Sequence, residues 1–383
     1  MSEQPKKKNE KWQQNIPWLF CFAIGGVLGI TSSFYIDKII PNNTGMTRML
    51  SYIILFAALI LAIFVQTIIH EAGHLIFGLL SGYEFSSFRI FSFMLLKADG
   101  KMKLKRLTLA GTGGQCLMVP PDMVDGKIPV VLYNLGGSIL NIIAGVIFSI
   151  FAYFSRSIPI LFAVMCIFAI IGYALALMNG IPMRLGLIDN DGYNAIELTR
   201  TPKALKAFWR QLKINEQVAK GVKLKDMPAE WFEIPSDEDM QNSMVATIAV
   251  FACNRLMDMK QFEEVNKLMT HLLEIDSGIV DIYKKGMVCD QLYIEMMHDN
   301  RREVIEKMLT KEQKTFMKQM KSNPGVIRTE YLLALFYDND GTKAEKIKAR
   351  FEKSAKTYPH QGEIQAEREL IELADEKKFS VNI

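Results

Sequence analysis

The chain has 383 residues, half of them hydrophobic, and a formal net charge of +4 at pH 7. This mild positive balance is too weak to predict nucleic-acid binding, so we expect no nucleic-acid partner. The five cysteines show no paired spacing, which argues against a disulfide framework. Apolar residues are concentrated in the first half of the chain, and this gradient predicts a membrane part followed by a water-soluble part.

Four apolar segments are long enough to cross a bilayer. They lie near residues 16–36, 49–80, 129–154 and 158–180, inside a predicted membrane domain of residues 16–200. A polar, basic stretch over residues 1–15 precedes them and is predicted to be disordered. The first apolar run lacks a clear small-x-small cleavage site, so we expect a retained helix rather than a signal peptide.

The distribution of lysine and arginine predicts the orientation of these helices. Basic residues are concentrated in residues 1–15, 85–127 and 184–210, whereas the other connections hold only Lys38, Arg48 and Arg156. The positive-inside rule then predicts a multi-pass cell-membrane protein with both termini in the cytoplasm.

The second apolar segment carries an HExxH motif formed by His70, Glu71 and His74. Two imidazoles four residues apart lie on one face of a helix and can bind one Zn²⁺ ion, while Glu71 can act as general base on a water molecule. Ionisable groups inside a spanning helix are costly, which favours a functional metal site over an accidental cluster. The predicted orientation puts the motif in the cytoplasmic half of the membrane.

The connection after this helix has a mixed pattern. Residues 85–96 combine aromatic and aliphatic residues with serines and Arg89, and Asp99-Gly100 is a turn signal. This pattern predicts an interfacial β-hairpin, with a mobile cytoplasmic loop as the alternative. Glycines and prolines then predict irregular backbone; they are Gly111, Gly113, Gly114, Pro120 and Pro121.

A catalytic zinc site requires a third protein ligand. The remaining histidines, His271, His298 and His360, lie far along the soluble half. Two aspartates, Asp189 and Asp191, follow the fourth apolar segment at the depth of the HExxH motif. Either aspartate could complete the site.

An HExxH motif in a membrane helix, followed by Asn179-x-x-Pro182 and Asp191-Gly192, resembles the site-2 protease (M50) family of intramembrane zinc metalloproteases. The resemblance covers roughly residues 49–195. It implies that Asp191 is the third ligand, and that Asn179 and Pro182 unwind the helix that carries it. Nine positions separate Pro182 from Asp191, more than is usual in the family, and Asn190 stands where leucine is common. Asp189 therefore remains a competing ligand.

Residues 137–141 are similar to the GPxxN element of the same family, with Ser138 where proline is usual. The resemblance implies that Asn141 takes part in catalysis, by binding substrate or by polarising the scissile carbonyl. No segment resembles the carboxylate-binding loop of a PDZ domain. If a domain selects the substrate, we expect it to be of another kind.

Helix-start signals and the helical spacing of apolar residues predict an all-α cytosolic domain over residues 201–383. Three candidate turns, at 257–259, 297–299 and 337–339, recur every 40 residues. This spacing resembles tetratricopeptide-like hairpins, which would offer a surface to a protein partner; a plain helical bundle is the alternative. The numerous methionines of this half are predicted to lie in its core.

We therefore expect an α-helical integral membrane protein that acts as a zinc metalloendopeptidase. It would hydrolyse a membrane-embedded or membrane-adjacent protein or peptide near the cytoplasmic face, in regulated intramembrane proteolysis or peptide-precursor processing. One alternative is a proteolytically inactive membrane scaffold or binding protein with a vestigial metal site. Another is a membrane-bound zinc hydrolase that acts on soluble peptides.

Overall fold

The computed structural model describes Gly26, Ile30 and residues 45–98, 100–107, 113–183 and 189–381. Three helices in this part of the chain are long and apolar enough to cross a membrane: α1 (Gly45–Leu80), α2 (Val131–Phe154) and α3 (Pro159–Gly180). They match the predicted second, third and fourth spans. The predicted first span, near 16–36, and the stretch 1–15 lie outside the described residues, except for Gly26 and Ile30, so the first span stays a prediction.

The contacts divide the chain into two compact units. The membrane unit comprises the described residues up to Glu84 together with Ile128–Arg200, and the second unit comprises Phe85–Lys127 together with the chain from Thr201 onward. The sequence did not indicate that residues 85–127 group with the C-terminal helices. The predicted domain boundary after residue 200 stays a prediction.

Helices α1, α2 and α3 pack together in the membrane unit, and a short helix, α4 (Asp191–Arg200), follows α3. A Cβ atom on Gly73 would lie 2.2 Å from the carbonyl oxygen of Gly136, and one on Gly136 would lie 2.5 Å from that of Gly73. Helices α1 and α2 therefore touch main chain to main chain, as small residues permit in membrane bundles.

Residues 85–127 form most of a four-stranded sheet with strand order β3-β2-β1-β4. The strands are β1 (Glu84–Ile90), β2 (Phe93–Ala98), β3 (Lys101–Arg106) and β4 (Gly114–Val119). Antiparallel pairing of β2 with β3 confirms the hairpin predicted around residues 99–100. The expectation of irregular backbone is confirmed at Gly113, Pro120 and Pro121 and wrong at Gly114, which begins β4, where alternate burial of Cys116 and Met118 allows a strand. Gly111 lies outside the described residues.

Arg89, which lies in β1, is buried in the sheet region. Its side chain is 1% exposed and donates to the carbonyl oxygens of Phe91 at 2.6 Å and Gly114 at 3.2 Å. This arginine therefore links two parts of the sheet region and contributes little to the charge of the surface.

The rest of the second unit is helical, with three short 3₁₀ helices and one π-helical turn at Leu333–Tyr337. Its α-helices are α5 (Pro202–Ala219), α6 (Ser243–Asp258), α7 (Phe262–Glu274), α8 (Asp281–Met297), α9 (Arg302–Met308), α10 (Lys311–Gln319), α11 (Pro324–Leu332), α12 (Gly341–Ala355) and α13 (Gln361–Val381). The three predicted turns overlap the ends of α6, α8 and the π-helical turn, and non-helical backbone begins at residues 259, 298 and 338, so the turns are confirmed to within two residues. The tetratricopeptide-like arrangement stays a prediction.

The core of the second unit contains both methionines and a buried charge. Met287 and Met296 are almost fully buried, as predicted, whereas Met259 is exposed. Arg328 is 1% exposed; its Nη2 lies 2.6 Å from Oδ1 of Asp290, and its Nε lies 3.3 Å from Oε2 of Glu367. Two carboxylates thus balance one buried guanidinium.

Candidate metal centre

The two histidines of the HExxH motif lie on one buried face of α1. His70 is 8% exposed and His74 is 9% exposed, and Glu71 between them is also buried. A Cβ atom on Gly137 of α2 would lie only 2.5 Å from Cε1 of His70. Glycine at this position therefore leaves the space that the imidazole occupies.

The hydrogen bond at Nδ1 determines the tautomer of His74. This nitrogen lies 2.8 Å from the carbonyl oxygen of Tyr133. A carbonyl oxygen can only accept, so Nδ1 carries the hydrogen and Nε2 keeps its lone pair. His74 thus presents Nε2 as a ligand atom.

A chain of amides determines the tautomer of His70. Nδ2 of Asn141 donates to the main-chain oxygen of Gln66 and to its Oε1, each at 2.9 Å. Because the main-chain oxygen can only accept, the amide nitrogen of Asn141 must face Gln66 and its Oδ1 must face His70. That Oδ1 lies 2.8 Å from Nδ1 of His70, so Nδ1 donates and the lone pair is again on Nε2.

Asp191, the first residue of α4, completes the cluster. Its Oδ2 lies 3.1 Å from Nε2 of His70 and 3.4 Å from Nε2 of His74, and the two Nε2 atoms are 3.2 Å apart. Three lone-pair atoms would repel one another without a cation between them. A tetrahedral zinc ion separates nitrogen and oxygen ligands by about 3.3 to 3.4 Å, so the donor set fits zinc.

The charge of Asp191 suits this arrangement. Burial alone would raise the pKa of its carboxyl, but the adjacent imidazoles of His70 and His74 more than offset burial and lower that pKa below its ordinary value. The ionised carboxylate is the form that binds a metal. Within the described part of the chain, His70, His74 and Asp191 are the group of potential ligands that converges, and Asp189 is not a member.

Asn190 holds Asp191 in place, a role that the sequence reasoning missed. Its Oδ1 accepts from the main-chain nitrogen of Tyr193 at 2.9 Å, which caps α4, and from that of Met183 at 3.0 Å. Its Nδ2 donates to the carbonyl oxygens of Met178 and Ile181. An asparagine directly before Asp-Gly is a helix-start signal that could have been recognised.

Gly192 allows the start of α4 to lie against the end of α3. A Cβ atom on Gly192 would lie 2.2 Å from the carbonyl oxygen of Gly180. The glycine of the Asp-Gly pair is therefore required by close packing, and it brings the preceding aspartate to the histidines.

Asn179 and Pro182 lie at the end of α3. Asn179 donates from Nδ2 to the carbonyl oxygen of Leu175 in its own helix at 2.9 Å, and α3 ends at Gly180. Pro182, which has no N–H group, lies just beyond the helix end. Asp191 begins the next described helix, α4, and the unwinding role of Asn179 and Pro182 stays a prediction.

Asn141 and Gln66 are both fully buried. Asn141 lies against His70, and both of its amide atoms have partners within hydrogen-bonding distance. The sequence reasoning did not single out Gln66. A polar residue inside an apolar segment, one helical turn before His70, was the available signal.

A comparison with protein families agrees with this geometry. The model of peptidase family M50 matches residues 58–323, most of the chain, including the HExxH motif and Asp191. Searches of curated proteins and of solved structures found no match. The chain belongs to peptidase family M50, whose members are membrane zinc metalloproteases.

Proposed function

We propose that this protein is a site-2-type intramembrane zinc endopeptidase that hydrolyses a membrane-embedded or membrane-adjacent substrate. The convergence of Nε2 of His70, Nε2 of His74 and Oδ2 of Asp191 is the observation that carries this proposal. Two of these residues belong to a helix that is long and apolar enough to cross a bilayer. Family membership supports the same reaction class.

Each residue of the centre has a defined task in this proposal. His70, His74 and Asp191 hold the zinc ion, and Asp191 is preferred to Asp189 because its carboxylate lies against both imidazoles. Zinc supplies Lewis-acid chemistry at this position when bound. A carboxylate oxygen of Glu71 accepts the proton of the attacking water and returns it to the leaving amine nitrogen.

Asn141 has two candidate tasks. Its predicted role as a donor to the scissile carbonyl requires Nδ2 to leave the two oxygens of Gln66 that it now contacts. Holding His70 through Oδ1 requires no such change. We therefore propose orientation of His70 as the main task of Asn141 and keep the oxyanion role as a prediction.

A helical substrate hides its carbonyl groups in its own hydrogen bonds and must be extended locally before cleavage. We propose that the sheet assists by strand addition. The strands of the segment 85–96 are inner strands, so an added strand would pair with β4 or with β3, the outer strands of the described sheet. At β3 it would pair before Arg106, whose N–H already donates to the carbonyl oxygen of Thr357. An interfacial position of β3 agrees with its lysines at 101, 103 and 105.

The proposed topology follows from the positive-inside rule, with both termini in the cytoplasm. The HExxH motif, close to the C-terminal end of α1, then lies near the cytoplasmic leaflet. The helical part of the second unit would select substrates or bind a regulatory protein.

The test uses cells that carry either the native protein or Glu71→Gln. The variant keeps all three zinc ligands but loses the base, which contributes about 10²–10⁴ in rate, so an uncut membrane protein or peptide should accumulate. Membrane proteomics measures this accumulation, and zinc analysis of the purified variant should give the native metal content.

Glu84→Gln is the matched control, because Glu84 is an exposed glutamate beyond the end of α1. Cells that carry Glu84→Gln should have the same membrane proteome as cells that carry the native protein. Identical proteomes for the native protein and Glu71→Gln would contradict the peptidase assignment and favour a scaffold. Continued cleavage of a substrate shortened to its soluble part would favour the soluble-peptide hydrolase.

A further inference from the structure

A buried glutamine connects the metal centre to the backbone of α3. Gln66 is 0% exposed and lies one turn before His70 on α1. Its Nε2 donates to the carbonyl oxygen of Phe168 at 2.9 Å, while its Oε1 accepts from Asn141 at 2.9 Å. Both polar ends of this side chain are therefore engaged, and each partner belongs to a different helix.

The space for this side chain is provided by a glycine. A Cβ atom on Gly172 of α3 would lie 2.8 Å from Nε2 of Gln66. Gly172 thus leaves an opening in α3 that the glutamine amide fills, in contact with the carbonyl oxygen four residues earlier. An apolar side chain of the same length would fill the same space but could not make these two hydrogen bonds.

The hydrogen bonds that join Phe168, Gln66, Asn141 and His70 form a series. The group at one end of the series can only accept, and this determines the direction of the others. The carbonyl oxygen of Phe168 can only accept, so Nε2 of Gln66 must face α3 and Oε1 must face Asn141. Oε1 then holds Nδ2 of Asn141, and Oδ1 of Asn141 is left to accept from Nδ1 of His70. The carbonyl oxygen of Phe168 and the main-chain oxygen of Gln66 thus both favour the orientation of Asn141 that leaves the lone pair of His70 on Nε2.

We propose that Gln66 is a positioning residue for the metal centre, which acts through Asn141 to hold His70 in its metal-binding tautomer and orientation. Groups that orient a metal-bound histidine in this way typically change metal affinity by about 10- to 100-fold when they are removed. The inference rests on the proposed zinc site. Gln66 itself does not touch substrate or metal.

The test measures zinc affinity of the full-length protein in detergent by competition with a chelator. Gln66→Met keeps the length and volume of the side chain but removes both hydrogen bonds. The main-chain oxygen of Gln66 still holds Asn141, so we expect zinc to bind about tenfold more weakly, and Asn141→Leu to have a larger effect. The absorption spectrum of the Co²⁺-loaded protein at saturation should also shift, because the ligand geometry changes at full occupancy.

Two further variants separate positioning from general loss of structure. Gly172→Ala leaves Gln66 in the chain but puts a methyl group against its amide, so it should weaken zinc binding in the same direction without removing a polar group. Thr67→Val is the matched control, because the hydroxyl of Thr67 bonds to the carbonyl oxygen of Ile63 in its own helix. That variant should bind zinc and cobalt as the native protein does.

Native zinc affinity together with an unchanged cobalt spectrum in both Gln66→Met and Gly172→Ala would overturn the inference. Weakened affinity in Thr67→Val to the same extent would also overturn it, because any change in α1 would then suffice. Failure of the native protein to bind either metal would refute the proposed zinc site itself, and the role of Gln66 with it.

Discussion

The membrane unit and the second unit both bury polar side chains, but they provide partners for them differently. In the membrane unit, Gln66 and Asn141 are neutral amides whose hydrogen bonds extend to main-chain oxygens. In the second unit, Arg328 is buried as a full charge between Asp290 and Glu367. One arrangement uses directional hydrogen bonds between neutral groups, and the other uses charge balance.

The difference follows from the surroundings of each unit. Hydrocarbon offers no water to a charge that loses its partner, so neutral amides with main-chain partners are less costly to bury in a spanning helix. In the helical second unit, the charge of Arg328 is instead balanced by the carboxylates of Asp290 and Glu367. We therefore expect substitutions in the amide chain to alter metal binding, and substitutions in the charge cluster to alter the free energy of unfolding.

The largest expected effect comes from the carboxylate ligand of the membrane unit. Asp191→Ala removes one of three ligands and should weaken zinc binding by more than about 100-fold, beyond the range typical of groups that only orient a ligand. Equilibrium dialysis followed by metal analysis measures this loss. Asp189→Ala should keep its zinc; the reverse pattern would reassign the third ligand to Asp189.

The next effect belongs to the charge cluster of the second unit. Arg328→Met leaves Asp290 and Glu367 without their cation and should lower the free energy of unfolding by about 3–5 kcal/mol. Denaturant unfolding of the full-length protein measures this change, and zinc affinity should stay native. Arg350→Met removes an exposed partner of Glu330 and should cost about 0–1 kcal/mol. If Arg328→Met and Arg350→Met lowered the free energy of unfolding equally, the distinction between buried and exposed ion pairs would be contradicted.

The smallest effect is a pH dependence within the second unit. Burial and the nearby charge of Glu367 raise the pKa of Glu363 to about 7, although the Tyr358 hydroxyl donates to its carboxylate. Because the folded protein binds this proton more tightly than the unfolded chain, the proton raises the free energy of unfolding. This contribution is fully present below the ordinary pKa of the carboxyl and is lost as the pH rises through about 7. Glu363→Gln should therefore reduce the fall in Tm between pH 5 and pH 8, by about 2–4 °C.

Glu345→Gln, an exposed position on α12, serves as the control for that measurement. Its thermal unfolding should change with pH as that of the native protein does. A Glu363→Gln variant with the native pH dependence would show that this carboxyl does not bind an extra proton in the folded state.

Much of the membrane unit could be predicted from its sequence because hydrophobic length and motif spacing are local signals. The three described spans and the HExxH face follow from short stretches of chain. The choice of Asp191 over Asp189 instead came from the family resemblance, because its convergence with the histidines is a long-range contact. The helix cap formed by Asn190 could also have been predicted from the sequence, because asparagine is typical of a helix start. In the sequence analysis Asn190 counts only as a departure from the family pattern. Its hydrogen bonds to the end of α3 give that departure a structural reason.

Other features depend on contacts between distant parts of the chain, and local patterns do not encode them. Strand β4 was obscured by the glycines and prolines on either side, since its pairing is decided by the rest of the sheet. The role of Gln66 becomes visible only when Phe168 and Asn141 are brought to it from two other helices. The grouping of residues 85–127 with the C-terminal helices is likewise a long-range result.

The direct contact of Gly73 with Gly136 has a consequence for the position of the metal ligands. Main chain meets main chain at this crossing, so the distance between α1 and α2 is set there by the backbone rather than by side-chain rotamers. A methyl group at either glycine would force the two helices apart. It would thereby shift the HExxH face of α1 away from Asn141 of α2.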